Sequence, residues 1–384
     1  MPIDLSFIFG TRPELIKLAP VILKARQDSR FKVNVVFTGQ HLELVQDAIE
    51  FFQIEIDHHL QIMQPGKSLN ILLSKALTEL DQVYRDMPKC DVIVVQGDTT
   101  TVLAGALVAF NLNIHLAHVE AGLRSFDLMH PFPEEANRQL VSRLAHWHFA
   151  PTRRSAENLR QENIPDQQIF ITGNTVVDAI HHARDLMQSS SQQSQQRLER
   201  MGLKLSEQDK LVLLTAHRRE NFGEGIQNIC AAIHTLCSRY PELHFAWPVH
   251  LNPQVYEIAY REFLNHPQVH LLKPLDYPDL LAVLGTAYFI MTDSGGIQEE
   301  SPTYQKPVLI LRDVTERPEV VEAGCGILVG TDQTKIVQEF SRLMDDPAYY
   351  RQHAEVENPF GDGHASERIL EQMLQDLTVA ESSN

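Results

Sequence analysis

The sequence predicts an α/β protein built from two doubly wound parallel sheets. Three observations carry that reading. Short apolar, β-branched runs such as DVIVVQG (91–97), IHLAHVE (114–120) and LVLLTAH (211–217) have the length and composition of strands buried on both faces. They alternate with segments of helical spacing, as in parallel βα units. The alternation runs twice, interrupted by the polar run SSSQQSQQ after Gln188, and 384 residues suffice for two cores.

In chain order, LSFIFG (5–10) is the first strand, followed by the turn Thr11-Arg12-Pro13-Glu14. The next helix offers Leu15, Leu18, Ile22 and, at its margin, Leu23 to the core. A second strand (32–39) and helix (41–52) follow, then a helix over 68–85. DVIVVQG leads through Asp98 into a small-residue helix from Thr99 to Phe110. IHLAHVE delivers Glu120 at its carboxyl end, and Pro131-Phe132-Pro133 opens a helix whose first turn carries Glu134 and Glu135. WHFAP and QIFITG are further strands. LVLLTAH begins the second series, continued by LHFAWPVH, VHLLKPL, AYFIMTDSGG, PVLILR and GILVG. Residues 1–186 are expected to form one Rossmann-like domain and 187–362 another, with a cleft between them. The SSSQQSQQ run is expected as a surface excursion near the link. The tail reads as an amphipathic helix, within 363–384, packing back on the first domain.

Composition narrows the function. A net charge of −17, from 33 basic and 50 acidic residues, argues against a nucleic-acid or anionic-membrane surface. No apolar run has the length of a membrane helix, and MPIDLSFIFG lacks the parts of a signal peptide, so a cytoplasmic protein is expected. Cys90, Cys230, Cys237 and Cys325 form no CxxC or zinc spacing, and the 18 histidines include no HExxH, so no metal site is expected.

Ligands of open α/β sheets bind beyond the carboxyl ends of the strands. Asp98, Glu120 and Glu134 all fall there. Singly, each has a structural use: Asp98 as a helix N-cap, Glu134 as a partner for Arg138 one turn on. As a set over consecutive βα turns, they suit acid/base chemistry. Arg12, in the first turn, is placed to grip a phosphate or carboxylate. His217-Arg218-Arg219 forms a basic turn in an acidic protein. Asp293-Ser294-Gly295-Gly296 ends a strand with small residues whose N–H groups can approach an anion, and Glu300, further in, can accept from sugar hydroxyls. Two fragments are decoys. Gly66-Lys67-Ser68 has Gln61 where a P-loop needs glycine, and Gly223-Glu224-Gly225 has Asn228 where a dinucleotide fingerprint needs one.

Nine segments in order, FGTRPE, TGQH, QGDTTT, HVEAGLRS, PFPEEANR, ITGNTVVD, TAHRREN, TDSGGIQEE and TERPE, resemble the bacterial non-hydrolysing UDP-N-acetylglucosamine 2-epimerases over nearly the whole chain. The resemblance implies a glycosyltransferase-B-like fold, UDP held mostly by the second domain, the acetamido sugar in the cleft and a homodimer. It implies catalytic roles for Asp98, Glu120, Glu134 and His217, and nucleotide-sugar contacts for Arg12, Lys17, Ser294, Gly295, Gly296, Glu300 and Arg317. It also implies anti elimination of UDP to a 2-acetamidoglycal and re-addition with C2 inverted, without metal or redox cofactor, to supply N-acetylmannosamine for surface polysaccharide. Relatives activated by their own substrate use TGQH, an Arg-Gln pair and the arginine after the catalytic histidine. Gln40, His41 and Arg218 match that set. Gly66-Lys67 replaces the Arg-Gln pair, so weak or absent activation is expected, with Lys67 a substitute anion contact. The alternatives are a hydrolysing 2-epimerase, an epimerase of a decorated UDP-hexosamine, a glycosyltransferase and a non-catalytic sensor. The last two would gain little from three acidic groups around one ring.

Overall fold

The computed structural model describes residues 2–39, 42–63, 66–187 and 191–382. The chain divides into two compact units, Met1–His182 with Phe360–Asn384, and Ala183–Pro359.

The first unit holds strands β1 (Ile3–Phe9), β2 (Phe31–Phe37), β3 (His58–His59), β4 (Val92–Gln96), β5 (His115–Val119), β6 (Trp147–Ala150) and β7 (Ile169–Ile171). They pair in the order β3-β2-β1-β4-β5-β6-β7, all parallel. Every side chain of β4 is buried, as a strand covered by helices on both faces requires. The order reverses between β1 and β4, so the crevice of such a sheet opens beyond the carboxyl ends of those two strands. The turns Gly10-Thr11-Arg12 and Gly97-Asp98-Thr99 stand there.

The second unit holds β8 (Lys210–Thr215), β9 (Leu243–Pro248), β10 (Val269–Leu272), β11 (Phe289–Thr292), β12 (Val308–Ile310) and β13 (Gly326–Leu328). Their order is β10-β9-β8-β11-β12-β13, again all parallel, with the reversal between β8 and β11. His217 follows β8 and Asp293 follows β11. Two parallel, helix-flanked sheets bear out the expected fold class. The core of this unit gathers Trp247, Phe245, Phe289 and Phe340, all fully buried.

Two features differ in detail from the reading of the sequence. The polar run near the link, as far as it is described, is the helix Ser191–Arg200. Its glutamines and arginines are good helix formers, Leu198 is buried, and Arg197 pairs with Asp279 at 2.7 Å. The two-residue strand β3 was not foreseen, because so short a segment carries no periodicity. The last helix, Ala365–Ser382, lies against the helix Arg12–Arg26. It buries Ile369, Leu370 and Met373, and Asp376 accepts a 2.6 Å hydrogen bond from Nε1 of Trp147. No helix among the described residues is long and apolar enough to cross a membrane.

Candidate active site

In the first unit the turns at the β1/β4 reversal are bound together by Glu14. Its carboxylate accepts from the backbone N–H of Gly10 (3.0 Å) and Thr11 (2.7 Å), from the Thr11 hydroxyl (2.7 Å), and from the Thr99 hydroxyl across the crevice (2.6 Å). Burial pushes its carboxyl above the usual range, against the pull of those donors. The Thr11-to-Glu14 spacing is a capping box, which the sequence displays; the reach to Thr99 is not visible there. Arg12 stands half-buried between these anchors.

Asp98 is not the cap of the following helix. Thr99 takes that position, its hydroxyl accepting from Val102 N–H. Asp98 is instead gripped by Arg138, with Nε at 2.8 Å and Nη2 at 2.7 Å from Oδ2, while Asn137 donates to the Asp98 carbonyl at 2.8 Å. Gly97 precedes it at φ +83°, a left-handed turn that glycine adopts without strain. The Gly97 carbonyl lies 2.8 Å from Nε2 of the fully buried His118. Burial pushes the His118 imidazole down to about 3, so it is neutral and donates Nε2–H to that carbonyl.

Glu120 follows β5 at φ +65°, a conformation that costs a residue with a side chain roughly 1–2 kcal/mol. Three elements hold its carboxylate: Lys17 from the first helix at 2.5 Å, Gln96 from β4, and Asn174 beyond β7 at 3.4 Å. Lys17, read from the resemblance as a substrate contact, is therefore a partner of Glu120 in this structure.

Glu134 does not pair with Arg138. Arg138 reaches Asp98 and, at 3.2 Å, the buried Glu135. Glu135 in turn accepts from the backbone N–H of Ser125 and Phe126, tying the preceding loop to the helix Glu134–Leu144. Glu134 is half-buried, and its side chain makes no hydrogen bond or ion pair among the described residues.

In the second unit, His217 and Asp293 meet across the β8/β11 reversal. Oδ2 of the fully buried Asp293 accepts from the N–H of His217 (2.7 Å) and Arg218 (2.8 Å) and from Asn221 Nδ2 (3.0 Å). Burial alone would raise the Asp293 carboxyl; the His217 ring beside it and the two backbone donors hold it below the usual range. The ring of His250 stacks on that of His217 at 5.8 Å. Both line a pocket of about 230 Å³ with Thr215, Pro248, Pro274, Leu275, Ser294 and Ile297. Ser294 is the N-cap of the short helix Gly295–Glu300. A side chain at Gly295 would stand 3.6 Å from the Arg317 guanidinium and 3.7 Å from Arg218, so two cations flank this bare backbone. Arg317 is itself paired with the buried Glu299, and Glu300 is buried in the same helix.

The structure thus gathers Arg12, Lys17, Asp98 and Glu120 with their supports at the first sheet's carboxyl edge, with Glu134 opening the helix that carries Arg138. At the second sheet's edge it gathers His217, Arg218, Ser294, Gly295, Gly296, Glu300 and Arg317. Lys67 is exposed, while Gln40 and His41 lie outside the described residues. Of the supports, Gln96, His118 and Asn174 had not been singled out, while Glu14, Arg138 and Asp293 had been named in the sequence without these roles. Among the described residues no group of three or more His, Cys, Asp or Glu could hold a metal ion.

A family model described as UDP-N-acetylglucosamine 2-epimerase matches residues 23–374. The chain belongs to that family. A UDP-N-acetylglucosamine 2-epimerase of Yersinia pestis is 45% identical over 363 residues, 94% of this chain and 96% of the relative. One from Bacillus subtilis is 44% identical over 96% of this chain and 94% of its own length. The crystal structure of the Neisseria meningitidis UDP-GlcNAc 2-epimerase bound to UDP-GlcNAc superimposes with a TM-score of 0.90 at 42% identity, covering 97% of this chain and all of that one. Lys17 excepted, the site residues at the two sheet edges fall within the nine segments that resemble this epimerase family.

Proposed function

We propose that this protein interconverts UDP-N-acetylglucosamine and UDP-N-acetylmannosamine without releasing free sugar. The observation that carries the reading is the set Asp98, Glu120 and Glu134, each on its own βα turn or helix start in the first unit, in a chain of this family. The second unit holds UDP, with Arg218, Arg317 and the backbone at Ser294–Gly296 offering positive charge to the diphosphate.

The chemistry needs such a set. The C2 hydrogen of the sugar is not next to a carbonyl, so removing it unaided is very slow. When the anomeric C1–O bond breaks as the C2 proton leaves, the electron pair forms the C1–C2 double bond and UDP departs with the bonding electrons. Re-addition restores the C1–O bond while a proton reaches C2 from the other face. Protons must be taken and given on two faces, which a single carboxylate cannot do. His217 and the cations around Gly295 stabilise charge on the departing diphosphate. The protein works as a homodimer in the cytoplasm, its product entering surface-polysaccharide synthesis; four unpaired thiols suit a reducing compartment. The missing Arg-Gln pair at Gly66-Lys67 supports a rate that follows substrate hyperbolically, and a sigmoidal curve flattened by Lys67→Ala would overturn that point.

Proton NMR of the protein with UDP-N-acetylglucosamine in heavy water tests the reading. Growth of a UDP-N-acetylmannosamine anomeric signal, deuterated at C2, is expected. Free N-acetylmannosamine would mark a hydrolysing enzyme instead, and an unchanged spectrum would exclude this sugar as substrate.

A further inference from the structure

We propose that Asp293 is the positioning residue of His217, fixing the imidazole with its Nδ1 proton on the buried carboxylate and Nε2 left for the diphosphate. The inference deepens the proposed function, since it assigns the state in which His217 meets the leaving group, but its geometry stands on the second unit alone.

The β8–β11 pairing aligns Thr215 with Thr292 and brings the two following turns together. Asp293 then divides its carboxylate. Oδ2 takes three donors, the backbone N–H of His217 and Arg218 and the Asn221 amide, and these fix the shape of the turn. Oδ1 is equally buried and has no hydrogen bond among the described residues, although His217 Nδ1 stands 3.0 Å from it. A buried carboxylate oxygen left with no proton donor costs roughly 1–3 kcal/mol, so the proton belongs on Nδ1. Were Nδ1 the bare nitrogen, its lone pair would face that of the buried Oδ1.

The division separates structure from chemistry. The turn is secured by Oδ2, so Oδ1 adds nothing to it that a neutral amide would not; what Oδ1 sets is the tautomer. Asp293 is fully buried, whereas the His217 side chain is 36% exposed, so the ring's other edge is the accessible one. His250 covers one ring face and supplies no hydrogen bond to Nδ1. With Nδ1 committed, only Nε2 can meet the departing oxygen. When the ring carries a second proton, Nε2–H donates to the diphosphate as the C1–O bond lengthens, and the buried anion behind it offsets the ring's charge.

The test is ¹⁵N-histidine NMR of the full-length protein with kinetics of Asp293→Asn. Asparagine keeps a carbonyl for the three Oδ2 donors and presents N–H₂ to the ring. Wild-type His217 is expected as the Nδ1–H tautomer, and Asp293→Asn as the Nε2–H tautomer. With that switch, kcat falls by about a hundredfold or more while KM stays within about threefold. A purely structural role would distort the turn bearing Arg218 and raise KM instead. An Nε2–H tautomer in the wild type overturns the proposal, even if the variant does not fold. So does a variant with unchanged tautomer and kcat within about threefold. The ring is read without substrate, so failure of the wild type to turn over UDP-N-acetylglucosamine would count against the proposed function and leave this assignment standing.

Discussion

Glu120 concentrates the cost of building a site. It sits in a left-handed backbone conformation, and its carboxylate is held from three elements by Lys17, Gln96 and Asn174. Glu120→Gln keeps the shape but replaces an acceptor facing donors by an amide, and removes the group proposed to move a proton. Epimerisation should fall by at least about a hundredfold while UDP affinity, measured calorimetrically, stays within a few-fold. A second prediction concerns His118. Burial holds its folded pKa at about 3 against 6.5 for the free group. The unfolded chain therefore binds a proton near pH 6.5 that the native state refuses, so the stability this neutral ring contributes is complete above that pH and is lost as pH falls toward 3. Between those values it adds a slope of about 1.4 kcal/mol per pH unit, which His118→Gln should remove in urea titrations at pH 4 to 6. The groups proposed to react were legible in the sequence because they stand at strand ends, where a polar residue interrupts an apolar run. Their supports were not. Arg138 is one turn from Glu134 and adjacent in space to Asp98, 40 positions earlier, and only the fold decides which acid it serves.

Elements explain why the site could be found at all. Parallel strands such as β4 are buried on both faces, so their composition is visible without any partner. The order in which they pair is not, and it is that order which sets Thr99 against Glu14 and His217 against Asp293. The helix Ala365–Ser382 makes the same point in reverse. Its amphipathic pattern shows in the sequence; its seat does not, because Asp376 meets Trp147 from 229 positions away. Met373 is fully buried there, and Met373→Ala should destabilise the first unit by about 3 kcal/mol in denaturant unfolding. Removing the whole helix would expose Ile369, Leu370 and Met373 contacts together, on the order of 6 kcal/mol, comparable to the entire stability of an ordinary domain. A first unit lacking it should not fold as a soluble piece.

At the scale of the whole molecule, the proposed division of work between the two units should show in ligand linkage. UDP at about a hundred times its Kd stabilises whatever binds it by about 2.7 kcal/mol. Calorimetry should show UDP raising the melting transition of the wild type and of Glu120→Gln alike, while Arg218→Ala loses most of that shift. An equal loss in both variants would show that UDP does not rest mainly on the second unit. The chain leaves the first unit after His182 and re-enters it at Phe360, so the second unit is an insertion within the first. During synthesis, then, the ribosome finishes the later unit before the earlier one. With about 200 residues still to be made after His182, at roughly 5–20 residues per second, the nascent first unit waits some 10–40 s with the seat of its final helix uncovered. For that interval the newborn polypeptide offers chaperones an oily groove that the released enzyme never shows.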